Sequence, residues 1–121
     1  MVWQFSSAFL LTLCLAAPAL AQSPSAEQIA NGKTLFDNNC SACHLATGAG
    51  HVKFGIVVSA DLRAPRLENT FHNDDALLQR AILEAKDQNG QPLSEPMSAW
   101  AGRLTTDQVE DIIAYLKTLK S

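Results

Sequence analysis

The chain has 121 residues, with nine Lys and Arg against twelve Asp and Glu and a formal net charge of −3. That length holds one small domain with a modest core. No basic run is present, nor a basic stripe interleaved with aromatics, which excludes nucleic acid as a partner.

The first element is an apolar run. Residues 5–21, FSSAFLLTLCLAAPALA, end in Ala19-Leu20-Ala21, the A-x-A pattern that closes a secretory signal peptide. The run is too short for a membrane span. Residues 1–21 therefore read as a signal peptide cleaved after Ala21, and residues 22–121 as the mature chain. No Lys or Arg precedes the run, so an uncleaved N-terminal anchor is the alternative. Cys14 lies inside the apolar core. Leu11-Thr12-Leu13 before it lack the small residue that precedes a lipidated cysteine, and Cys14 reads as part of the removed segment. Every charged residue falls in the mature part, which keeps two cysteines, Cys40 and Cys43.

Ser25, with Gln28 three residues later, forms a capping box that predicts a helix running to about Asn38 or Asn39. Gly32 inside it costs about 1 kcal/mol relative to Ala, which points to close approach of another element. Next comes Cys40-Ser41-Ala42-Cys43-His44, a C-x-x-C-H pentapeptide and the attachment signature of a c-type haem. Each thiol can add across one vinyl group of the porphyrin, and the adjacent imidazole of His44 can bind the iron. In an oxidising compartment two lone cysteines would tend to pair, and thioether attachment removes them from that fate. A thiol–disulfide redox pair is the first alternative, but it asks for a βαβ setting. A zinc site is the second, and the two remaining histidines do not make a convincing second pair of ligands.

Residues 45–72 carry no clear periodicity. Phe54-Gly55-Ile56-Val57-Val58 has the composition of a strand without a visible partner, and reads as an extended loop packed on the core. A middle helix is predicted at about Asp74 to Ala85, with Asn73 as N-cap and Leu77, Leu78, Ala81 and Ile82 as its apolar face. Asp74 and Asp75 read as helix-terminus charges, not as an acid/base pair. Residues 87–92, DQNGQP, read as a turn.

Met97, the single methionine of the mature chain, follows Pro96 in a loop segment before the last helix. It reads as the second iron ligand, since a thioether opposite histidine raises the reduction potential and keeps the iron six-coordinate. Filling a core gap is the bland alternative for Met97, and His51 and His72 are its rivals as ligand. Thr105 with Gln108 caps the last helix, whose apolar stripe is Val109, Ile112, Ile113, Leu116 and Leu119. Neither Ser41 nor Ser98 has an organised base nearby, and no enzyme constellation emerges.

The mature chain resembles the class I c-type cytochromes over residues 26–119. Gly32-x-x-x-Phe36 ahead of Cys40-x-x-Cys43-His44 resembles the family's first helix, Asp111-Ile112-Ile113-Ala114-Tyr115-Leu116 its last, and Pro96-Met97-x-x-Trp100 its axial-methionine loop. The segment from Ile82 to Leu93 is similar to that of members related to dehydrogenase and oxidase subunits. The resemblance implies an all-α cytochrome c fold, three to four helices around one covalently attached haem c, occupying residues 22–121. It implies a close crossing of the first and last helices at Gly32, with Tyr115 packed there. It also implies a proline carbonyl as hydrogen-bond acceptor for the ligand imidazole, for which Pro65 is the candidate. Ser98 stands where the family more usually has proline after the methionine, and the stretch between His44 and Pro65 is longer than in compact members.

The expected function is that of a periplasmic one-electron carrier and not an enzyme. It would be a monomer meeting redox protein partners as donor and acceptor, and meeting a membrane only through a docked complex. A subunit stably bound to a dehydrogenase or terminal oxidase is the alternative, and a haem-based sensor a further one. The acidic balance favours a partner with a basic patch.

Overall fold

A computed structural model of the chain describes residues 13–17 and 22–121. The expected cleavage site, Ala19-Leu20-Ala21, and the start of the apolar run lie outside the described residues. In chain order the elements are α1 (Ala26–Asn39), α2 (Ser41–His44), β1 (Lys53–Phe54), β2 (Val57–Val58), α3 (Arg66–Thr70), α4 (Asp75–Glu84) and α5 (Thr106–Leu116). Among the described residues no helix is long and apolar enough to cross a membrane.

The last helix is built as its sequence dictates. Thr105 Oγ1 accepts from the Gln108 backbone N–H at 3.2 Å, and Gln108 Oε1 accepts from the Thr105 N–H at 2.9 Å. The expected stripe Val109, Ile112, Ile113 and Leu116 is buried, and so are Ala114 and Tyr115. A helix apolar on more than one face needs neighbours on more than one side; α1 and α4 both pack against it.

The α1–α5 contact explains Gly32. A Cβ there would lie 1.8 Å from the Asp111 carbonyl oxygen and 3.0 Å from Tyr115 Cβ. The helices cross so closely that only a hydrogen fits between them. One turn later Phe36 is fully buried and meets Tyr115, ring centroids 5.5 Å apart and tilted by 56°. Gly32→Ala is therefore expected to destabilise the protein although alanine is the better helix former. The cost of forcing the helices apart is about 1–3 kcal/mol, read as a lower denaturation midpoint with unchanged slope.

Two expectations are corrected, and one element is added. Phe54 to Val58 is not a loop but a hairpin: Lys53 pairs with Val58 and Phe54 with Val57, antiparallel. The missing partner is in the same run, because Gly55 at φ +64° lets the chain reverse within two residues. The N-cap of α4 is Asp74, whose Oδ1 accepts from Ala76 N at 2.9 Å, and not Asn73. Asn73, like His72 before it, takes a left-handed conformation in the turn leaving α3, a conformation asparagine tolerates better than most. Finally, the 45–72 stretch, which shows no clear periodicity, holds a short helix, α3. Its Leu67 and the following Phe71, spaced i, i+4, are buried in the main core.

Candidate functional site

Helix α1 ends by handing its last turn to the cysteine segment. Cys40 N donates to Phe36 O at 2.8 Å, and His44 N to Cys40 O at 3.0 Å. The single turn of α2 thus sets residues 40, 43 and 44 at i, i+3 and i+4, on one face. Cys40, Cys43 and His44 line one cleft of about 320 Å³, and Met97 lines the same cleft. Its other walls are mostly apolar, Phe54, Val57 and Val58 of the hairpin, Ile82 of α4, Leu93, Pro96 and Trp100, with Asn39, Ser59, Ser94 and Ser98 between them.

The loop that carries Met97 is tied to the end of α4. Trp100 N donates to Ile82 O and Ala101 N to Leu83 O, each at 3.0 Å. The Arg103 guanidinium stacks on the Trp100 ring at 3.9 Å and donates from Nη2 to Ser98 Oγ at 2.9 Å and to Ala99 O at 3.0 Å. These contacts brace the loop at Ser98, Ala99 and Trp100.

The imidazole of His44 is oriented by backbone. Its Nδ1 lies 2.9 Å from the Ala60 carbonyl oxygen. Since a carbonyl can only accept, Nδ1 carries a proton, and in the neutral ring Nε2 then presents its lone pair, the tautomer a metal needs. This corrects the expectation for Pro65, which caps α3 and whose carbonyl accepts from Asn69 N at 3.0 Å. Ala60 could be found only in three dimensions, because the sequence gives every carbonyl of the 45–64 stretch the same appearance. The rival histidines do not join the cleft. His51 bonds Ala49 O through Nδ1 at 2.7 Å, and His72 is exposed in the turn after α3.

Burial pushes the Cys40 thiol up to about 11, with the neighbouring Cys43 adding to it. A redox-active dithiol requires the opposite, a thiolate favoured near neutral pH. Among the described residues, no three His, Cys, Asp or Glu side chains converge as a metal cluster would require. The donor set instead fits a haem: two thiols and an imidazole on one helical face, a thioether in the same cleft, and apolar walls for a porphyrin.

Just beyond Ala60, the Asp61 carboxylate is 6 % exposed and takes both the Nε and Nη2 donors of Arg63 at 3.0 Å. The Arg63 hydrogen bonds hold its pKa down to about 2. A depressed folded-state pKa contributes stability above the unfolded value of about 3.9 and loses it as pH falls. The stability gap between wild type and Arg63→Gln should therefore be full above about pH 4 and close as pH falls toward 2, read from denaturant midpoints across that range.

The family model described as cytochrome c matches residues 29–120. Cytochrome c6 of Thermosynechococcus vestitus is 32% identical over 111 residues, covering 88% of this chain and 87% of that protein. Cytochrome c-554(547) of Halothiobacillus neapolitanus is 32% identical over 95 residues, 75% of this chain and 96% of the relative. The Cbb3-type cytochrome c oxidase subunit CcoP of Azospirillum sp. is 30% identical over 101 residues, covering 81% of this chain but 31% of that longer protein. The helical frame, the cysteine–histidine turn and these matches agree, and the chain belongs to the cytochrome c family.

Proposed function

We propose that the protein is a periplasmic one-electron carrier in which Cys40 and Cys43 hold a single haem by thioether bonds and His44 and Met97 are its axial ligands. The observation that carries this reading is the convergence of these four side chains on one apolar cleft, with His44 Nδ1 committed to Ala60 O. Bound haem supplies an iron that takes up and returns one electron. The chain's own part is to anchor, orient and exclude water. Ala60 O fixes the imidazole tautomer, the Trp100–Arg103 stack steadies the Met97 loop, and Phe54, Val57, Ile82 and Leu93 keep the cleft apolar. Ligands held in place on both sides leave little to reorganise when the electron moves, which suits transfer to redox protein partners by a monomer.

The test is an absorption spectrum of the exported protein, oxidised and reduced, together with N-terminal sequencing of the periplasmic form. Spectra of a six-coordinate His/Met c-type haem and a first residue of Gln22 are expected. A protein without haem, or one retained with its apolar run, would contradict the respective half of the proposal. The match to an oxidase subunit favours a second reading, a module docked in a larger complex. A stoichiometric partner retained through purification would select it over a free carrier.

A further inference from the structure

The long stretch between His44 and Pro65 is fastened to His44 itself. Gly50 N donates to His44 O at 2.9 Å. His51 N donates to Ser59 O, Ser59 N to Val52 O, and Val52 N to Ser59 Oγ, each at 2.9 Å, closing the base of the β1–β2 hairpin. Ala60, the first residue past that base, delivers its carbonyl oxygen to His44 Nδ1. The same oxygen lies against Gly50. A Cβ at Gly50 would sit 2.1 Å from Ala60 O and 2.6 Å from its carbon. Gly55, at the tip of the same hairpin, has a similar positive φ, +64° against +61°, but nothing within 4 Å of where its Cβ would be. The two glycines pose the same backbone demand, and only one touches the carbonyl that holds the imidazole.

We propose that Gly50 is a positioning residue for His44: the gap it leaves lets the Ala60 carbonyl reach Nδ1, so that the 45–64 excursion sets the donor strength of the imidazole and with it the reduction potential. This rests on the reading of His44 as an iron ligand. An imidazole whose N–H donates to a carbonyl is more basic at its other nitrogen. A more basic ligand stabilises oxidised iron and lowers the potential, and a weakened hydrogen bond does the reverse.

The experiment compares purified holoprotein of wild type, Gly50→Ala and Gly55→Ala. Two quantities are read: the midpoint potential, and by NMR the solvent exchange of the His44 Nδ1 proton in the reduced protein. Gly50→Ala is expected to shift the potential to a more positive value and speed that exchange, with Gly55→Ala close to wild type on both. Equal shifts in the two variants, or none in Gly50→Ala, would overturn the proposal. Should Gly50→Ala yield no holoprotein, Ser59→Ala removes the Val52 N to Ser59 Oγ bond at the hairpin base without adding an atom. Faster Nδ1 exchange is then expected, and unchanged exchange would overturn the proposal equally. A wild-type spectrum lacking histidine ligation would instead remove the reading on which it rests, which keeps the two failures apart.

Discussion

Replacing both Cys40 and Cys43 by alanine should abolish haem that survives denaturing electrophoresis and leave a chain that does not fold cooperatively. The first effect follows from the proposed role of the two thiols as covalent anchors. The second follows from the cleft. Its walls, Phe54, Val57, Ile82, Leu93 and Trp100, face space that a porphyrin would fill, and most of them pack at the margin of the core. Burial of apolar surface on the order of 300 Å², chain and porphyrin together, contributes about 7.5 kcal/mol at roughly 25 cal/mol per Å². That is comparable to the whole stability of a small domain, about 5–15 kcal/mol. Each single variant keeps one anchor and should retain part of the haem signal. Haem staining on gels and thermal unfolding followed by circular dichroism check the two effects, and covalent haem persisting in the double variant would refute the attachment sites.

Met97→Ala should leave covalent haem in place and open the sixth coordination position. Carbon monoxide should then bind the reduced protein rapidly without denaturant, where wild type binds slowly. Lowering the barrier by only about 1.4 kcal/mol already gives a tenfold rate. Loss of the thioether should also lower the reduction potential. Stopped-flow carbon monoxide binding and redox titration are the measurements. An unchanged ferric spectrum and potential would remove Met97 from the ligand set and return it to the role of a packed side chain. Because Arg103, Trp100 and the end of α4 brace the loop independently of Met97, the substitution is expected to act on coordination more than on the fold.

Much of this site is legible along the chain because it is local. C-x-x-C-H fits within one helical turn, so sequence spacing and spatial spacing are nearly the same. The capping box at Thr105 and Gln108 and the apolar stripe of α5 are local in the same sense. Gly32 is informative for another reason: its cost inside a helix points to a close approach, and α5 comes so near that a Cβ there would lie 1.8 Å from Asp111 O. The hairpin is hard to see along the chain because both of its strands and its turn share the six residues 53–58. Asn73 and Asp74 are both good caps, and which of them serves depends on how the turn after α3 is spent.

The sequence by itself pointed to the proposed covalent chemistry and determined the helical frame, since thiol spacing, caps and apolar periodicity act over a few residues. Tertiary structure alone decided which carbonyl holds His44, that the 45–64 stretch delivers it, and that Met97 and not His51 or His72 shares the cleft. Those outcomes depend on hydrogen bonds between residues far apart in the chain, such as His44 with Ala60 and Trp100 with Ile82. No residue type announces such a bond, because every backbone carbonyl is chemically alike until the fold brings one of them to a donor.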